Sequence, residues 1–135
     1  RAPLESMLAW DTILGLQLEN LVLQSFETLR SRLDLERINV LNAGPYHQTR
    51  TARRHGCQID LLVRTRRALY VIEIKLRDTI ERSVIDEVKQ KVDRLEATRG
   101  LSIRTGLVYQ GELPEQVEQE DYFDYLLPFA DLLRS

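Results

Sequence analysis

The chain is short of almost everything that marks a specialised class. It has one cysteine, one methionine and one tryptophan among 135 residues, with four prolines and six glycines. A single cysteine, Cys57, excludes an internal disulfide framework and fits a reducing setting, so a cytoplasmic location is expected. No apolar run reaches the roughly 18–20 residues that a membrane helix needs, so no membrane association is expected. An N-terminal signal pattern is also missing. The low proline and glycine content, with no repeats and no biased tract, excludes fibrous and low-complexity classes. No G-x-x-x-x-G-K-[ST] phosphate loop is present, so no ATP chemistry is assigned to this chain.

What remains is an ordinary globular composition, 43% hydrophobic and 30% charged. The length suits one domain over residues 1–135, with 1–10 read as a linker or the end of an upstream domain. The opening RAPLESMLAW is expected to belong to a longer protein. Net charge is −2, but it is unevenly spread. Residues 46–67 carry Arg50, Arg53, Arg54, Arg64, Arg66 and Arg67 against the lone acid Asp60. Residues 112–124 carry Glu112, Glu115, Glu118, Glu120, Asp121 and Asp124 with no base. Such a basic stretch suits phosphate binding, and a solvated loop is the alternative on composition alone.

Periodicity predicts a helix over 11–33, with Leu14, Leu18, Leu21, Val22, Ser25, Leu29 and Leu33 on one face. INVLN, 38–42, reads as a strand stopped by Gly44-Pro45. The stretch 46–54 reads as either an extended piece or a basic loop. Strands at about 58–64 and 69–76, joined by a short connection at Arg66-Arg67, imply an antiparallel hairpin. A helix follows over about 80–98 with Ile80, Val84, Val88, Val92 and Leu95 inward, stopped by Gly100. Residues 102–110 read as a strand, 112–124 as an acidic loop, and DYFDYLLPFADLL as a short strand and a final helical turn. The order indicates a mixed α/β domain with helices packed on a small sheet.

The hairpin strands carry charge in mid-run. Side chains alternate faces along a strand. Tyr70, Ile72, Ile74 and Leu76 therefore share one face, and Val71, Glu73 and Lys75 the other. In the first strand Ile59, Leu61 and Val63 oppose Gln58, Asp60, Leu62 and Arg64. A turn centred on Arg66-Arg67 puts Asp60 across from Glu73 and Gln58 across from Lys75; a two-residue slip would bring Asp60 to Lys75. Facing carboxylates repel, and the expected offset is Lys75 or a bound cation such as Mg²⁺, which accepts carboxylate and water oxygens. A charged outer face on a two-stranded ribbon is the alternative.

Asp60, twelve residues, then Glu73-Ile74-Lys75 resembles the D-x(n)-E-x-K signature of the PD-(D/E)XK nuclease superfamily. The resemblance spans roughly 13–110, with Ile59 where many members have proline. It implies a restriction-endonuclease-like α-β-β-β-α-β core, with a small mixed sheet and a central antiparallel hairpin flanked by helices. GLQLENLVLQSF, RRHGCQIDLLV and YVIEIK further resemble the C-terminal nuclease-like domains of archaeal-type P-loop ATPases. That implies an upstream P-loop ATPase domain of the same protein as a partner, and leaves a homodimer open.

The implied activity is DNA phosphodiester hydrolysis with Mg²⁺ or Mn²⁺. Asp60, Glu73 and a first-helix carboxylate, Glu19, are the implied metal ligands. Lys75 would orient the attacking water. Arg50, Arg53, Arg54, Arg66 and Arg67 would hold the DNA backbone. Gln58 and Lys91 are auxiliary candidates, the latter also readable as a helix ion pair with Glu87. The alternative function is an inactive nuclease-fold module that binds DNA or docks on its ATPase. His47, His55 and Cys57 lack metal-site spacing and read as loop or packing residues.

Overall fold

A computed structural model describes residues 24–96 and 98–133. Over them the chain forms α1 (Phe26–Arg32), β1 (Asn42–Gln48), β2 (Cys57–Arg64), β3 (Ala68–Thr79), α2 (Ser83–Arg94), β4 (Ser102–Glu112), α3 (Glu115–Glu120), β5 (Tyr125–Pro128) and α4 (Phe129–Leu132). The protein is α/β, with a five-stranded open mixed sheet in the order β1-β2-β3-β4-β5. β1–β2 and β2–β3 pair antiparallel, while β3–β4 and β4–β5 pair parallel. The parallel pairs need crossovers, which α2 and α3 supply.

Both faces of the sheet are covered, and the strand sequences explain why. Leu69, Tyr70, Val71 and Ile72 are all buried, the near-continuous apolar run expected of a strand with helices on each side. Tyr70 and Ile72 join Leu61, Val63, Val108 and Leu127 under Leu29 of α1, Leu33 just after it and Leu132 of α4. Leu69, Val71 and Leu107 face the other way, against Val84, Ile85 and Val88 of α2 and Val117 of α3. Each fully buried Leu or Ile contributes about 1.5–3 kcal/mol relative to exposure. Ile59 was expected beside Leu61 and Val63, but it packs in the α2-side cluster.

Helix α1 has Glu27 in its first turn and Arg30 and Arg32 in its last, both favourable to the helix dipole. Asp34, in the left-handed region at φ 59°, ends it, and the Leu35 N–H donates to the Arg30 carbonyl at 2.9 Å. The predicted residues before 24, Glu19 included, lie outside the described part. Helix α2 is shorter than its expected span, because Leu95 is already extended at φ −70°, ψ 125°. Gly100 instead takes φ 79° in the turn that leads into β4.

Three expectations need correction. Gly44-Pro45 does not stop a strand: it lies inside β1, where the register shifts between Gly44 and Tyr46. β1 is an edge strand, so a proline at a bulge forfeits little pairing. Residues 38–41 lie before the strand rather than in it. The acidic stretch 112–124 is not all loop, since Val117 is buried and anchors the short helix α3.

Candidate functional site

The hairpin adopts the register set by a turn at Arg66-Arg67. Leu61 pairs with Ile72, Leu62 with Val71, Val63 with Tyr70 and Arg64 with Leu69. The ladder stops at Leu61 and Ile72. One step further, Asp60 comes opposite Glu73, and its side chain takes over the missing backbone partner: the Ile74 N–H donates to Asp60 Oδ2 at 2.9 Å. Beyond this point β3 runs on with β4, and β2 runs on with β1. The site is thus built where two paired strands part.

Glu73 is 4% exposed. Its carboxyl lies close enough to that of Asp60, one step beyond the Leu61–Ile72 pair, for Asp60 to affect its ionisation. Burial, and then the adjacent Asp60 carboxyl, push Glu73 up to about 8. Lys91 of α2 pulls the other way, with Nζ at 2.8 Å from Oε2 and 3.1 Å from Oε1. Two acids in a low-dielectric cleft cannot both ionise freely unless a cation sits with them.

The expected cation, Lys75, is not the one that does this. Lys75 Nζ pairs with Glu87 Oε2 at 3.2 Å. Lys91, expected as a helix pair with Glu87, reaches Glu73 instead. Helix α2 therefore supplies both counter-charges, Lys91 to the strand acid and Glu87 to the strand base. The reason is geometric. Glu87 and Lys91 lie one turn apart on the α2 flank that overlooks β3, and the buried Glu73 and half-buried Lys75 have less water to turn to than each helix residue has. Glu87, not singled out from the sequence, carried only the signal of being at i, i+4 from Lys91.

The remaining predicted residues divide. Gln58 is exposed and pairs across to His47 on β1, away from Lys75. Arg50 and Arg53 are exposed in the 49–56 loop, next to the start of β2 and so at the Asp60 end of the hairpin. Arg66 and Arg67 are exposed at the opposite end of β2. At about 3.3 Å per residue, the eight residues of β2 put roughly 23 Å between its ends, and the two arginine groups adjoin opposite ends. The structure does not bring the five predicted arginines together.

Sequence reasoning missed Gln48. It is 2% exposed and fully used: Nε2 donates to the His55 carbonyl at 2.8 Å and to the Arg94 carbonyl at 2.7 Å. Its Oε1 accepts from the Glu96 N–H at 3.2 Å and the Tyr46 hydroxyl at 3.3 Å. One side chain thus ties β1, the 49–56 loop and the end of α2 together. A lone glutamine in a polar stretch gives no sequence signal for this.

Among the described residues no group of three or more His, Cys, Asp or Glu side chains is placed to hold a metal. Two carboxylates are, however, a donor set that Mg²⁺ uses, with waters completing its shell. The closeness of Asp60 to Glu73 fits such an ion, which would relieve their repulsion. An entering cation would share Glu73 with Lys91. No protein-family model, curated protein or solved structure matches the chain.

Proposed function

We propose that this domain hydrolyses DNA phosphodiester bonds with a divalent cation, Mg²⁺ or Mn²⁺, held by Asp60 and Glu73. The observation that carries this reading is the pair itself: two carboxyls brought opposite each other by the hairpin register, one of them buried, at the point where β2 leaves β3. A bound divalent cation supplies Lewis acidity toward a phosphoryl oxygen and lowers the pKa of its water. Asp60 is fixed by the Ile74 N–H, so its free oxygen is oriented before any ligand arrives. Lys75 lies two residues along β3 from Glu73, on the same side of the strand. An arriving phosphate competes with the half-exposed Glu87 for its ammonium, which then stabilises charge developing on the phosphate. Arg50 and Arg53 lie at the same end of the hairpin and suit backbone contacts that position DNA without reading its sequence. The E-x-K resemblance supports the same roles, and an upstream P-loop ATPase and a cytoplasmic location belong to this proposal.

One observation favours a second reading. Both Glu73 oxygens are held by Lys91, and Lys75 is held by Glu87, so all but Asp60 of the acid–base set is paired within the fold. A nuclease-fold module that binds DNA without cutting it has no need of more. The test is nicking of supercoiled DNA in Mg²⁺ or Mn²⁺. Cleavage by the wild type that Glu73→Ala and Lys75→Ala each abolish is the expected result. Cleavage that survives both changes removes the assignment, and binding without cleavage in either metal selects the second reading.

A further inference from the structure

A second cluster of charge lies beside the acid pair. Gln48 brings two carbonyls to one amide nitrogen, that of His55 in the 49–56 loop and that of Arg94 in the last turn of α2. The loop is folded tightly onto β1. A Cβ at Gly56 would sit 3.1 Å from the Gln48 carbonyl oxygen and 3.2 Å from the Arg50 nitrogen. Within the loop, Thr51 bridges to Arg54. The Arg54 Nε donates to the Thr49 carbonyl at 2.9 Å, which leaves its two terminal nitrogens for other partners. The positive charges of Lys91, Arg94 and Arg54 all act on the thiol of Cys57, the first residue of β2. Lys91 is bound to Glu73, but among the described residues neither Arg54 nor Arg94 has a carboxylate at ion-pair distance. Both are half-exposed. The α2 terminus would ordinarily present bare carbonyls hostile to an anion. Here the Arg94 carbonyl is capped by Gln48.

We propose that Arg54 and Arg94 form a phosphate clamp, assembled by Gln48 from the 49–56 loop and the end of α2, that grips the DNA backbone beside the Asp60–Glu73 pair. This deepens the nuclease reading and rests on it. DNA enters over the α2 end of the hairpin, with Arg50 and Arg53 extending the track. The Arg66-Arg67 turn lies outside it. Arg94, three residues after Lys91, links the track to the acid pair.

The test is fluorescence anisotropy of a labelled DNA duplex with wild type, Arg94→Gln, Arg54→Gln and the double change Arg66→Gln/Arg67→Gln, in EDTA across a salt series. Arg94→Gln and Arg54→Gln should each weaken binding by about fivefold or more and lower the log–log salt slope by about 1. The Arg66→Gln/Arg67→Gln protein should bind within about twofold of wild type with an unchanged slope. The slope does not depend on the fraction of active protein, so a poorly folding variant would not imitate the result. Unchanged slopes for Arg94→Gln and Arg54→Gln, or a loss confined to the Arg66→Gln/Arg67→Gln protein, overturn the clamp and leave the Asp60–Glu73 assignment standing. Wild type that binds no DNA in EDTA overturns the clamp, while the nuclease reading stands or falls on cleavage in Mg²⁺ or Mn²⁺.

Discussion

Glu73→Gln isolates the electrostatics of the site. The substitution keeps the shape of a side chain that is 4% exposed and removes its ability to ionise. In metal-free protein, burial and Asp60 hold the Glu73 carboxyl protonated up to about 8, whereas its ordinary value is 4.5. Between those two values the unfolded chain is ionised at this position and the folded chain is not, so folding takes up a proton. Stability is then fully present below pH 4.5 and falls as pH rises toward 8. The full shift sets a ceiling of about 5 kcal/mol on the loss. Relaxation of the site reduces that, and a loss of about 1–3 kcal/mol is expected between pH 5 and 8. The assay is urea unfolding in EDTA at a series of pH values, for wild type and Glu73→Gln. The difference between the two curves removes the contribution of every other titrating group. That difference should move in favour of Glu73→Gln as pH rises. Parallel profiles, or a difference that moves toward the wild type, would show that Lys91 keeps Glu73 ionised and would refute the argument from burial and like charge.

Gln48→Leu should cost about 2–4 kcal/mol in urea unfolding, because two carbonyls, one N–H and one hydroxyl lose their partner at a site that is 2% exposed. Lys91→Met should cost about 1–3 kcal/mol at pH 8, since both oxygens of the buried Glu73 carboxyl lose their donor. Glu87→Gln should cost under about 1 kcal/mol, as Glu87 is half-exposed and its ion pair sits near water. Equal costs for these two would contradict the burial difference between the ion pairs. Gly111→Ala should cost about 3 kcal/mol or more: Gly111 is at φ 101°, and an added Cβ would fall 1.8 Å from the Arg77 carbonyl oxygen. A melting temperature unchanged by Gly111→Ala would contradict the close approach of β3 and β4 there.

The hairpin was legible because its register follows from two local facts, strand alternation and a turn centred on Arg66-Arg67. Those facts place Asp60 opposite Glu73 without any tertiary information. The order of later elements was legible for the same reason, since apolar period and punctuation agree from residue 57 to residue 112. Gly44-Pro45 misled because a proline that breaks a central strand is harmless at an edge bulge, and edge position is a property of the whole sheet. Val117 was overlooked because one apolar residue among acids has no period to reveal it. The partner exchange between Lys75–Glu87 and Lys91–Glu73 could not be read either. Helix spacing favours Glu87 with Lys91, and only the packing of α2 over β3 offers each of them a less solvated alternative. Likewise, arginines close in sequence at 50–54 and 66–67 end up at opposite ends of β2 because a strand separates them.

The proposed function requires that Asp60 and Glu73 share one divalent cation. The decisive measurement is a crystal structure of the protein soaked with Mn²⁺, with anomalous scattering data. A single anomalous peak within coordination distance of one oxygen of Asp60 and one of Glu73 is expected, and it should be lost in Glu73→Gln. Two carboxyls that turn apart at saturating Mn²⁺, or a peak that persists in Glu73→Gln, would contradict it.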